Sequence, residues 1–335
     1  MKKIKIGIEL SGIHTSDRAR GNYLIAETSK SDTRISSICP SDNVDVRIIM
    51  KRGAEVWGRK KKPGEILIFD VSDAILTPPL SYSIAKRLYQ RLVINPKYIS
   101  FLSECNAIVV ACRKQQEILS KYGISSLIIP DHSYYHTSFD ASKRKIPTER
   151  IIFVWDGQGH NFPYLELIIK ENIEFFRRSD VLLKVVTDKK NLVNGTDNKE
   201  ILLSYNINAT FVEWNEASFV QEVNAAHVGL APVDLRCPHA IAKPDNKMVN
   251  YQGLALPIIA SSTMAYKDYS KKSPGGVIIC DSMSDWSDAL EFWRLNRDTV
   301  IQRGAQGRSY VIENYSAKAL TNAWLRVIDS VLNEN

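Results

Sequence analysis

The stretch Ala242-Lys243-Pro244-Asp245-Asn246-Lys247-Met248-Val249-Asn250-Tyr251-Gln252-Gly253-Leu254-Ala255-Leu256-Pro257-Ile258-Ile259-Ala260-Ser261 decides the fold of this chain. Pro244 and Asp245 are residues of a helix start, Met248, Val249, Tyr251 and Gln252 give a short helix two faces, and Leu256-Pro257 stops it before the apolar Ile258-Ile259-Ala260. The pattern predicts a loop, a helix start and a buried strand. A helix start exposes unpaired backbone N–H groups and carries a partial positive charge. Lys243 and Lys247 flank this one with Asn246 between them, an arrangement that suits a phosphate.

The same grammar runs through the whole chain. Apolar strand-like runs recur at Lys3 to Glu9, Val44 to Met50, Glu65 to Phe69, Cys105 to Cys112 and Ser125 to Asp131. They recur again at Ile151 to Trp155, Val181 to Thr187, Ala209 to Trp214, His227 to Val233 and Gly275 to Asp281. Helical patterns lie between them, from Asn22 to Lys30, from Leu80 through Leu92, from Arg113 to Tyr122 with Gly123 closing it, through Leu165 to Ile169, and from Glu216 to Ala225. Tyr269 to Pro274 reads as a mobile loop ahead of the last strand. Alternating strands and helices in both halves predict two doubly wound α/β domains with a cleft between them. The polar, basic text between Tyr134 and Arg150 is the linker. The expected divisions are residues 1–133, linker 134–150, residues 151–317, and a last helix over residues 318–335.

Composition narrows the classes. Across 335 residues, 44% hydrophobic and 24% charged content is that of a soluble globular protein long enough for two cores. No apolar run approaches the roughly 20 residues that span a bilayer, and Met1-Lys2-Lys3 leads directly into an alternating strand, so the expected location is the cytoplasm. Five cysteines without a C-x-x-C pair offer neither a disulfide framework nor zinc-ligand spacing; Cys105, Cys112 and Cys280 read as small core residues. A net charge of +7 favours an anionic partner. The run Arg59-Lys60-Lys61-Lys62 beside Trp57 is either a solvated charge run or a peripheral contact with anionic lipid on the inner face of the membrane, worth ~1 kcal/mol per cation. Interleaved aromatics that stack bases are absent there, which disfavours nucleic acid.

Candidate site residues stand at the carboxyl ends of the predicted strands, where parallel sheets place ligands. Gly12 and Gly21 bracket His14, Asp17, Arg18 and Arg20 after the first strand. Asp70 and Asp73 end another and either cap the next segment or serve an acceptor or catalytic site. In Asp156-Gly157-Gln158-Gly159-His160-Asn161, glycines either let a backbone approach a phosphate or make a tight strand-to-helix turn. His227 reads as a structural histidine.

The pattern Asn246-Lys247-x-x-Asn250-Tyr251-x-x-x-x-Leu256-Pro257-Ile258-Ile259-Ala260-Ser261 resembles the nucleotide-sugar site of GT-B glycosyltransferases carrying the "glycosyl transferases group 1" domain, which are retaining and family 4-like. Their usual text there is Asn-Lys-x-x-Glu-Tyr-Met-Ala-x-Gly-Leu-Pro-Val-Ile-Ala-Ser. The tail Arg303-Gly304-x-x-Gly307-Arg308-x-x-Val311-x-x-Asn314-Tyr315-Ser316 is similar to the family's terminal text. The resemblance runs from about Asn106 to the end and is general before that.

The resemblance implies a GT-B fold, two Rossmann-like domains facing each other across a cleft, with the last helix crossing back onto the first. It implies transfer of a sugar from a nucleotide-sugar donor to a glycan or lipid-linked acceptor, with retention, in surface polysaccharide or lipopolysaccharide assembly. The nucleotide sugar is then a co-substrate, and neither cofactor nor metal is expected. Donor-binding residues by this resemblance are Gly157, Gln158, Lys189, Trp214, Lys243, Asn246, Lys247 and Asn250; acceptor-binding residues are Gly12, His14 and Arg18, with Asp70 and Asp73 as the catalytic carboxylates. The chain departs from the family at positions that bear on donor binding. Asn250 stands where a Glu accepts the ribose hydroxyls, and Gln158 and Asn161 stand near the usual Arg and Lys. Two alternatives share the fold: a nucleotide-sugar 2-epimerase and a non-catalytic nucleotide- or glycan-binding relative.

Overall fold

The computed structural model describes residues 4–10, 12, 17–31, 35–39, 41–50, 61–71, 74–79, 82–133, 135, 144, 149–191 and 195–334. The chain forms two compact units. The first is Met1–Tyr134 with Cys237–Asp245 and Glu313–Asn335; the second is Tyr135–Arg236 with Asn246–Ile312. The segment Cys237–Asp245, which the sequence reading leaves inside residues 151–317, thus belongs to the first unit, where His239 Nδ1 lies 2.8 Å from the Thr77 carbonyl.

The first unit is built on a parallel sheet of six strands, β1 (Ile6–Glu9), β2 (Ile35–Ser37), β3 (Val46–Met50), β4 (Ile66–Val71), β5 (Ala107–Val110) and β6 (Leu127–Ile128), in the order β2-β1-β3-β4-β5-β6. Both faces are covered, which is why the central strands read as continuous apolar runs. Side chains of period two divide between the faces: Ile8, Ile48, Ile68 and Val109 meet Leu320, Trp324, Ile328 and Val331 of the last helix, Ala317–Glu334. Leu67, Phe69, Ile108 and Val110 meet Tyr98, Phe101 and Leu102 of the helix Asn95–Ser103. Strand β6 is shorter than the run Ser125 to Asp131 suggests, and the helix read from Asn22 begins instead with a π-helical turn, Arg18–Asn22.

The second unit holds β7 (Ile151–Gly157), β8 (Val181–Thr187), β9 (Ala209–Glu213), β10 (Val228–Ala231), β11 (Ile258–Ser261) and β12 (Val277–Cys280), all parallel, in the order β12-β11-β10-β7-β8-β9. This is the doubly wound order of a dinucleotide-binding sheet, with the reversal of direction between β7 and β10. Strand β7 pairs with β8 from Ile151↔Val181 to Gly157↔Thr187 but with β10 only at Val228↔Phe153 and Gly229↔Val154. Past those pairs the two strands part, and the end of β7 is left open on one side.

The stretch Tyr269 to Pro274, read from the sequence as a mobile loop, begins inside a helix and is tied to the core by hydrogen bonds. Tyr269 closes the helix Met264–Ser270 and is buried, and its hydroxyl donates to Gln252 Oε1 at 2.7 Å. Ser273 donates to the same oxygen at 2.6 Å, and Gln252 Nε2 donates to the Gly275 carbonyl at 3.0 Å. A buried amide with its partners satisfied holds a turn that composition alone presents as polar and loose.

Candidate functional site

The helix Asn246–Gly253 connects β10 to β11 and buries Met248, Val249, Tyr251, Gln252 and Gly253. That leaves Asn246 exposed and Lys247 and Asn250 half-buried, on the side away from the core. Tyr251 anchors the helix at the point where the strands part. Its hydroxyl accepts from Asp156 N–H at 2.9 Å on β7 and donates to the Leu230 carbonyl at 3.3 Å on β10. Burial, and then the negative charge of Asp156, push the phenol well above its ordinary value, so it stays a donor. Strand β10 needs Gly229 here because a Cβ would sit 2.5 Å from the Tyr251 ring.

One helical turn before Tyr251, Lys247 reaches the same place. Its ammonium donates to the Asp156 carbonyl and lies 3.3 Å from Asp156 Oδ1. It also lies 5.4 Å from the centre of the Trp155 ring and 5.8 Å from that of Tyr251, within cation–π range. The side chain is 23% exposed. A cation is thus fixed at the carboxyl end of β7, at the reversal point, where open α/β sheets take ligands. Asn250 is one turn further along, and its side-chain amide has no hydrogen-bond partner among the described residues. Asp156 was not among the residues singled out from the sequence; its position as the penultimate residue of the strand ahead of the Gly157–Gly159 turn is the signal that could have found it.

The turn after β7 is a packing device. Gly159 N–H donates to Asp188 Oδ2 at 3.0 Å, and a Cβ there would meet Asn198 Nδ2 at 2.7 Å and the Lys190 carbonyl at 3.0 Å. Gly157 accepts from Thr187 Oγ1 at 2.6 Å, and its own Cβ would meet the Trp155 ring. Gln158 between them is exposed. Lys189 is 51% exposed with Asp197 at 3.8 Å, too loose to count as a fixed cation, and Trp214 stands exposed just past β9.

In the second unit a pocket of about 340 Å3 lies at the ends of β10, β11 and β12. Tyr164, Ile168 and Trp286 form its apolar side; Asp234, Arg236 and Ser261 bring polar groups to it. His227 is structural, as its surroundings in sequence suggest: buried, with Nδ1 accepting from Ile152 N–H at 3.0 Å.

The first-unit candidates are placed differently. Asp70 is completely buried on β4, its Oδ2 2.8 Å from Arg20 Nε and its Oδ1 held by Arg20 Nη2. Arg20 Nη1 also donates to Asp131 Oδ1 at 3.0 Å and to the Ile129 carbonyl at 2.5 Å. Burial pulls the guanidinium's proton affinity down, but the two carboxylates more than reverse this, and it stays charged. Both oxygens of Asp70, which the resemblance gives as a catalytic carboxylate, are committed to a buried fork with Arg20. Gly12 takes φ +77°, a left-handed conformation natural to glycine, and its N–H donates to Asp17 Oδ2 at 3.0 Å. Lys243 falls in the first unit. His14, Asp73 and Trp57 lie outside the described residues, as does the side chain of Arg18. Among the described residues no group of three or more His, Cys, Asp or Glu could hold a metal ion, and no helix is long and apolar enough to cross a membrane.

No protein-family model matches the chain, and no curated protein matches it. Solved structures do. A glycosyltransferase from Rickettsia africae superposes with a TM-score of 0.67 at 13% identity, covering 100% of both chains. Sucrose-phosphate synthase from Thermosynechococcus elongatus gives 0.67 at 12% identity over 99% of this chain and 100% of that one. HepE of Anabaena, solved with UDP and glucose, gives 0.62 at 8% identity over 98% and 100%. With its two parallel six-stranded sheets and these neighbours, the chain has the GT-B fold of glycosyltransferases.

Proposed function

We propose that the chain is a glycosyltransferase that moves a sugar from a nucleotide-sugar donor to a glycan or lipid-linked acceptor. The observation that carries this reading is Lys247, fixed at the end of β7 where the sheet reverses direction. A positioned cation there, with the amino end of the helix that bears it, stabilises the charge that develops on a diphosphate leaving group. Transfer then needs no metal. Asn250 would face the ribose, bonding one hydroxyl as acceptor or donor in place of a carboxylate; Trp214 would serve the base, and the Gly157–Gln158 backbone the phosphates. Acceptor contacts are assigned to the first unit at Gly12, His14, Arg18 and Asp73. Retention, a role in surface polysaccharide assembly, and peripheral membrane contact through the basic run around Trp57 belong to the same proposal.

A second reading, a non-catalytic nucleotide- or glycan-binding protein, has its own support in Asn250, Gln158 and the engagement of Lys247 by Asp156. Incubation of the full chain with a panel of nucleotide sugars separates the possibilities. Slow release of free nucleotide indicates a transferase, isomerised donor an epimerase, and binding without turnover the second reading. Binding itself is read by thermal shift with uridine, guanosine, cytidine and thymidine diphosphates, since a ligand at 100 times its Kd stabilises the native state by ~2.7 kcal/mol. Lys247→Ala is expected to weaken diphosphate binding toward the monophosphate level, read as a smaller shift at equal ligand concentration, with the fold kept. Unaltered nucleotide affinity in this variant refutes the assignment.

A further inference from the structure

We infer that Asp156 is a built-in counter-ion that competes with the anionic leaving group for Lys247 and thereby sets how strongly the site holds a diphosphate. The inference rests on the proposed donor site and deepens it. An ammonium has three N–H donors. In this structure one goes to the Asp156 carbonyl, and the Asp156 carboxylate lies 3.3 Å away, close enough to engage a second. A phosphate oxygen arriving at Lys247 therefore meets a cation already half spoken for, and a carboxylate of its own sign alongside.

Among the described residues of the second unit, the groups shown against Lys247 bring no second cation. Trp155 and Tyr251 supply only ring faces, Gln158 is neutral, and Lys189 is 51% exposed and loosely paired with Asp197. Asp156 itself is well anchored: its N–H is bound by the Tyr251 hydroxyl, and its side chain is 21% exposed. At the end of β7 the Lys247 cation is thus paired with the Asp156 carboxylate. Binding a diphosphate must either break the Lys247–Asp156 pair or bear like-charge repulsion beside it, and each lowers affinity. The wild type is accordingly expected to discriminate weakly between a nucleoside diphosphate and its monophosphate, because the added phosphate gains a contested cation.

Isothermal calorimetry on the full chain tests this with uridine and guanosine mono- and diphosphates against wild type, Asp156→Asn and Asp156→Ser. Asn keeps the shape and removes the charge. Expected are mono- and diphosphate affinities within about threefold for wild type, and diphosphate binding at least tenfold tighter in Asp156→Asn, ~1.4 kcal/mol. The gain should shrink as salt rises from 50 to 500 mM, because it is coulombic. Wild type that binds while the variants bind the diphosphate equally or more weakly overturns the role of Asp156 and leaves the donor site standing. No binding of any nucleotide by wild type or variants overturns both. If neither variant folds, the wild type still decides, since a hundredfold preference for the diphosphate contradicts a contested cation.

Discussion

Asp70 offers the sharpest way to separate the two roles that a carboxylate at the end of a strand can play. In the structure it is wholly buried, and both oxygens are bonded to Arg20, itself 1% exposed. Removing one member of a buried ion pair leaves the other charge uncompensated, which costs about 3–5 kcal/mol. Asp70→Asn keeps the shape and an acceptor, and Arg20 keeps Asp131 at 3.0 Å and the Ile129 carbonyl, so the lower part of that range, about 3–4 kcal/mol, is expected. Asp70→Ala adds a cavity and reaches the upper part. For units of this size, ~2–4 °C per kcal/mol turns the Asn substitution into a melting-temperature drop of roughly 6–16 °C. The transition affected is that of the first unit. Thermal melts followed by circular dichroism, with urea titration to verify an unchanged slope, measure it. If Asp70→Asn unfolds at the wild-type midpoint yet abolishes sugar transfer, the carboxylate is chemical after all and the structural role fails.

Two further expectations concern packing and reactivity. Ala255 adopts φ +62° at the position where the resembled pattern has Gly. The left-handed strain of roughly 1–2 kcal/mol is offset on substitution by the lost burial of one methyl, ~0.8 kcal/mol, and by chain entropy. Ala255→Gly should therefore stay within ~0.5 kcal/mol of wild type in urea titration while the branched Ala255→Val loses more than ~2 kcal/mol; equal behaviour of the two would refute the strain. Among the thiols, Cys39 is exposed, whereas burial pushes Cys105, Cys112 and Cys280 up to about 12. Brief maleimide treatment at pH 7.5 followed by peptide mass mapping should modify Cys39 first. Equal labelling of Cys112 would show that the first unit opens on that timescale.

Much of the architecture is legible because its cause is local. Continuous apolar runs such as Ile66–Phe69 and Ile151–Trp155, short and β-branched, read as strands covered on both faces, and Pro244-Asp245 followed by Leu256-Pro257 brackets a helix without reference to anything distant. Those local rules suffice for two parallel sheets and for placing Lys247 near a strand end. They misjudge Tyr269 to Pro274, since the glutamine that satisfies its hydroxyls stands about twenty positions away in the chain and carries no mark of that duty in the text.

What amino-acid order alone determined is thus the period of each segment and, from it, the doubly wound class of both units. Tertiary structure decided which charges meet. Lys247 finds Asp156 across 91 positions, and Arg20 finds Asp70 and Asp131 across 50 and 111. Pairings of that span depend on strand order and register, which set distances of a few ångströms. In a low-dielectric interior those distances separate a structural fork from a reactive carboxylate, and an available cation from one already engaged.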